Sequence, residues 1–126
     1  MFYARAFMTF GALAGFSGVV LGALTAHFFR ARLDAAAVTN LQTASLYLLV
    51  HGLLLIFISQ LCGRNPGSVL LPLAGGLCVL GTLGFCGGIS MSAVTGVRHF
   101  AMVAPPGGLA LMGSWLSLAL YGIRQS

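Results

Sequence analysis

The chain has no lysine, no glutamate and a single aspartate, Asp34; charged residues make up 6% of its 126 positions. An ordinary soluble domain is about one quarter charged, so this composition cannot cover a water-facing surface. One acid also excludes, within a single chain, the paired carboxylates of general acid–base catalysis and carboxylate-rich metal sites. The formal net charge of +5 comes from six scattered arginines, which lack the clustered basic patch that nucleic acid requires. Cysteine is scarce too. Cys62, Cys78 and Cys86 are odd in number, form no CxxC pair, and read as small buried hydrophobes rather than as a metal site or disulfide framework.

What is present is apolar: 59% hydrophobic residues and a mean hydropathy of +1.02. Long unbroken apolar runs, without the period-two alternation of barrel strands, make the expected solvent lipid and the expected structure helical. Four runs appear between charges and turn formers: Phe7 to Phe28, Leu41 to Leu61, Val69 to Ala93 and Ala101 to Ile123. Each is about 30 Å long as a helix, enough to cross the hydrocarbon core. The expected fold is therefore all-α, one integral membrane domain over residues 1–126, a four-helix bundle of two antiparallel hairpins. The first run is longer than a secretory signal core and is followed by three others, so it is expected to be a retained helix.

An even number of spans places both termini and the Cys62–Ser68 turn on one face. Arg5, Arg64 and Arg124 lie there; Arg30, Arg32 and Arg98 form an interfacial basic group on the other. With three arginines on each side, the positive-inside rule does not choose an orientation.

Small residues are the usual means of helix association in lipid. Gly11, Gly15, Gly18 and Gly22 make a stripe on the first helix; Gly81, Gly84 and Gly88 make one on the third, and Gly113 contributes on the fourth. These stripes could fold the monomer or join copies, and the former is favoured because all of them can meet inside one bundle. The second helix instead carries a polar stripe, Asn40, Thr43, Tyr47 and His51, at helical spacing. Asp34 followed by three alanines is an N-cap signature for it. His51 then falls near mid-bilayer, where an imidazole needs a partner; it is either a functional group or a neutral side chain bonded to Tyr47 or a carbonyl.

Pro105-Pro106-Gly107-Gly108 marks the start of the continuous fourth helix, since proline fits the first turn and not the interior. His27, Asn40, Thr43, Tyr47 and this break all sit at one membrane level, with His51 reached from it. The expectation is a polar pocket of His27, Asn40, Thr43, Tyr47, His51, Pro105, Pro106, Gly107 and Gly108, opening towards Arg30 and Arg98. The opposite face is plain by comparison. No cofactor or metal is expected: His27 and His51 are offset along the membrane by about 10 Å from helix rise, too far for two ligands of one haem iron.

The order Gly22-Ala23-Leu24-Thr25-Ala26-His27, Thr43-Ala44, Tyr47-x-x-x-His51, Gly81-Thr82-Leu83-Gly84-Phe85-Cys86-Gly87-Gly88, Thr95-Gly96, and Pro105-Pro106-Gly107-Gly108 leading to Gly113-Ser114-Trp115 resembles the domain of unknown function 423 family. Thr25 and Ser114 interrupt its Gly-Ala-His and Gly-Trp patterns, and Cys86-Gly87-Gly88 replaces a Ser-Gly-Ser. The resemblance implies a bacterial inner-membrane location and carries no established reaction, substrate or partner. Two functions stay open: a non-enzymatic accessory, scaffold or lipid-contacting module whose partners are the bilayer and another membrane protein, or a small-molecule or ion carrier or channel built from several copies.

Overall fold

The computed structural model describes residues 2–125. Four helices carry the chain: α1 (Phe2–His27), α2 (Ala35–Arg64), α3 (Leu70–Thr95) and α4 (Ala104–Gln125). All four are long and apolar enough to cross a membrane, and no strand occurs among the described residues.

The helix ends follow from local chemistry. Asp34 caps α2 through its carboxylate, which accepts the Ala37 N–H at 2.8 Å. Asn65 closes α2 by donating both its backbone and side-chain N–H to the Leu61 carbonyl. Ser68 then accepts the Leu71 N–H and opens α3. Gly96 ends α3 at φ 75°, a left-handed C-cap that suits glycine. Residues 98–103 form a short 3-10 segment, so α4 starts at Ala104, with Pro105 and Pro106 in its first turn.

The helices pair in sequence, α1 with α2, α2 with α3 and α3 with α4, as two hairpins joined through α2 and α3. In each hairpin two glycine backbones touch. A Cβ on Gly11 would lie 2.7 Å from the Gly52 carbonyl oxygen, and one on Gly52 would lie 2.7 Å from that of Gly11; Gly81 and Gly107 face each other in the same reciprocal way across α3 and α4. One interhelical hydroxyl bond supports each pair, Ser45 to the Gly18 carbonyl and Ser114 to the Ala74 carbonyl, both 2.7 Å. Between the hairpins lies the apolar core, with Leu54, Leu55 and Ile58 of α2 against Leu71, Ala74 and Cys78 of α3.

Two expectations about packing change. The glycine stripes do not converge: that of α1 meets α2, that of α3 meets α4, and the α1 and α4 backbones stay apart. Gly15 also leaves the stripe, since a Cβ there would meet nothing, whereas Gly11, Gly18 and Gly22 all face α2. A side chain at Gly15 would point away from the crossing, although its backbone N–H lies beside Gly52. Gly84, Gly88 and Gly113 sit at the α3–α4 contact as their spacing predicts.

Candidate functional site

Helical spacing puts Tyr47 and His51 on the same side of α2, one turn apart. His51 is 5% exposed and lies 16 positions after Ala35 and 13 before Arg64, or about 24 and 20 Å by helix rise, near the middle of the membrane-length helix α2. Both ring nitrogens are engaged. Trp115 of α4 can only donate, and its Nε1–H reaches His51 Nε2 at 3.1 Å. Nε2 is therefore the acceptor, and Nδ1 carries the proton that it donates to the Tyr47 carbonyl at 2.9 Å. One neutral tautomer satisfies the whole arrangement.

Aromatic contacts extend this bond on either side. The Tyr47 ring stacks on His51 with centroids 5.5 Å apart and packs on Phe85 of α3 at 4.6 Å; Trp115 meets His51 edge-on at 5.9 Å. A row of four rings thus runs from α3 across α2 to α4. Cys78 adds a long thiol contact to the His51 carbonyl, 3.7 Å.

The backbones of α2 and α4 do not touch, so a groove of about 380 Å³ remains between them. Tyr47, His51, Phe85 and Leu111 form its floor. Leu46 and Val50 make one rim and Met112 and Trp115 the other, and all four are exposed where the bilayer lies. The groove opens sideways at mid-depth and is lined mainly by carbon.

The expected grouping therefore comes together only in part. Tyr47, His51 and Gly108 line the groove, but His27, Asn40, Thr43, Pro105, Pro106 and Gly107 do not. His27 sits exposed at the end of α1, Asn40 is exposed near the start of α2, and Thr43 is half-buried two turns above His51. Pro105 and Pro106 are exposed; Gly107 is buried against the backbone of Gly84 and Phe85. The physical reason is that the start of α4 docks on the glycines of α3, which holds Pro105, Pro106 and Gly107 away from α2 and leaves only Gly108 at the groove. Arg30 and Arg98 remain exposed, and Arg32 folds over the Phe28 ring at 4.0 Å. The partner that spacing within one helix could not supply is Trp115, with Phe85, Leu111 and Met112 around it. One signal in the sequence points to it: a lone tryptophan in mid-span carries an N–H that needs an acceptor.

Comparison with known proteins agrees with this architecture. Residues 21–108 match the family described as protein of unknown function DUF423. A UPF0382 membrane protein of Staphylococcus haemolyticus is 32% identical over 116 residues, 92% of this chain and 93% of that protein. One of Staphylococcus epidermidis is 30% identical over 95% of this chain and 97% of its own length. The UPF0382 inner membrane protein YgdD of Escherichia coli K12 is 28% identical over 95% of this chain and 91% of its own. No solved structure matches. With four membrane-length helices and relatives matched nearly end to end, the chain is a multi-pass inner-membrane protein and belongs to the DUF423 family.

Proposed function

We propose that the protein is a non-enzymatic, lipid-contacting accessory module whose α2–α4 groove holds an acyl chain against the Tyr47, His51 and Trp115 rings. The observation that carries this reading is the saturation of His51 within an apolar groove open to the side. A proton relay needs a free imidazole nitrogen, whereas both nitrogens of His51 are bonded, and the one carboxylate side chain of the sequence, Asp34, lies 17 positions away along α2, about 25 Å by helix rise. Acyl chains are what surrounds such an opening at mid-depth, and a carbon-lined groove suits them. Native mass spectrometry of protein extracted in mild detergent tests it. A monomer carrying phospholipid, or a stoichiometric complex with another membrane protein that retains phospholipid, agrees. A lipid-free homo-oligomer contradicts the proposal and favours the carrier or channel reading.

A further inference from the structure

The face that holds the termini contains a second cavity, made of different residues from the groove. α1 begins and α2 ends there, and between them lies a space of about 510 Å³. Arg5 and Thr9 line it from α1, Gln60 and Arg64 from α2, with Met8 on its membrane side. None of the four polar side chains makes a hydrogen bond or ion pair with another described residue. The only acidic side chain in the chain, Asp34, stands at the opposite end of α2, about 45 Å away by helix rise. Two guanidinium groups thus share one cavity with no acidic side chain to neutralise them. The arrangement lies at headgroup depth, since Arg64 is the last residue of α2 and Arg5 is near the start of α1. Below it, Met8 and Phe57 present apolar surface to the bilayer.

We propose that this cavity binds the phosphate of an anionic phospholipid headgroup, held between Arg5 and Arg64 with Gln60 and Thr9 as further hydrogen-bond donors. Guanidinium forks match phosphate oxygens in pairs and bond them more strongly than neutral donors do. An anion between the two also removes their mutual repulsion. A phospholipid fits better than a free phosphate because the exposed apolar side chains of Met8 and Phe57 adjoin the cavity on its membrane side, where the acyl chains would lie. Arginines that merely reach for the interface attract anionic lipid weakly by charge alone and do so alike wherever they stand, so Arg30 and Arg98 on the other face supply the comparison for a built site. The site stands whether or not the α2–α4 groove is occupied.

The test titrates protein in a neutral detergent with phosphatidylglycerol and, separately, with phosphatidylcholine, read by native mass spectrometry and by the thermal midpoint. Both lipids carry a phosphate, but phosphatidylcholine brings a cation beside it that opposes the two guanidinium groups, so retention of phosphatidylglycerol on the order of tenfold above phosphatidylcholine is expected. Most of the preference should be lost in the Arg5→Gln/Arg64→Gln double variant and most of it kept in Arg30→Gln/Arg98→Gln. All four arginines are exposed, and the midpoint without added lipid reports that each variant is folded. Equal retention of the two lipids by the unaltered protein, or equal loss of preference in both double variants, overturns the site. If inorganic phosphate alone gives the same Arg5- and Arg64-dependent stabilisation, the ligand is free phosphate and the lipid assignment is overturned.

Discussion

The indole N–H of Trp115 reaches Nε2 of His51 at 3.1 Å across a groove whose walls, α4 and α2, never meet along their backbones. This bond ties the second hairpin to the first on the groove side, where the remaining contacts are between side chains. It also fixes the imidazole as a neutral acceptor at Nε2, because the indole has nothing to accept with.

The bond should appear as an energetic coupling. Trp115→Phe and His51→Phe should each destabilise the protein in detergent, and the double variant should lose less than the sum. The expected coupling is about 0.5–3 kcal/mol, the range for two residues that share a hydrogen bond. Thermal or denaturant unfolding followed by circular dichroism measures it; strictly additive losses would show that the two side chains do not act together.

Backbone approach at the hairpins predicts a sharp split among glycines. Gly11→Ala and Gly107→Ala place a methyl group on opposing backbone, which cannot rotate away, and should each lower stability by about 1–3 kcal/mol. Gly15→Ala and Gly87→Ala meet open space and should be neutral, or stabilising by up to about 1 kcal/mol through helix propensity. Unfolding midpoints of the four variants check this, and similar losses in all four would contradict the crossing geometry.

These two cases also show what a sequence of this kind makes legible and what it hides. The spans, the Asp34 cap and the proline start of α4 follow from local signals, because helix ends are satisfied by residues a few positions away. Gly15 and Gly18 look alike in the stripe, yet only Gly18 faces α2; the crossing angle that separates them is a property of two helices. Likewise the acceptor and donor of the Trp115–His51 bond are 64 positions apart, so periodicity within α2 could indicate that His51 needs a partner without naming it. The terminal face reads as plain because Arg5 and Arg64 are 59 positions apart, and only the α1–α2 hairpin brings them to one cavity.

Trp115 is the sole tryptophan, which makes membrane depth measurable. It stands 11 positions after Ala104, about 17 Å into α4 by helix rise, and is 47% exposed. Phospholipids brominated at the middle of the acyl chain should quench its fluorescence more strongly than those brominated near the headgroup. The reverse order would place the His51–Trp115 bond at an interface and remove the mid-membrane setting.

Topology gives a further prediction. In a background with Cys62, Cys78 and Cys86 replaced, Gly67→Cys and Ala36→Cys should react with an impermeant thiol reagent from opposite sides of the membrane, both positions being exposed in their connectors or helix starts. Labelling of both from the same side would contradict the two-hairpin arrangement.

The proposal that an acyl chain occupies the α2–α4 groove is tested most directly by photolabelling in liposomes with a phospholipid bearing a diazirine in mid-chain, mapped by peptide mass spectrometry. Phe85 and Phe16 offer a comparison of like side chains: Phe85 is half-buried on the groove floor, and Phe16 is 67% exposed on α1, away from the groove and from the Arg5–Arg64 cavity. The account predicts adducts on Phe85 and Tyr47 in excess of those on Phe16 and Leu53. Labelling that simply follows exposure, with Phe16 and Leu53 ahead, would show that lipid coats the outside of the helices and leaves the groove empty.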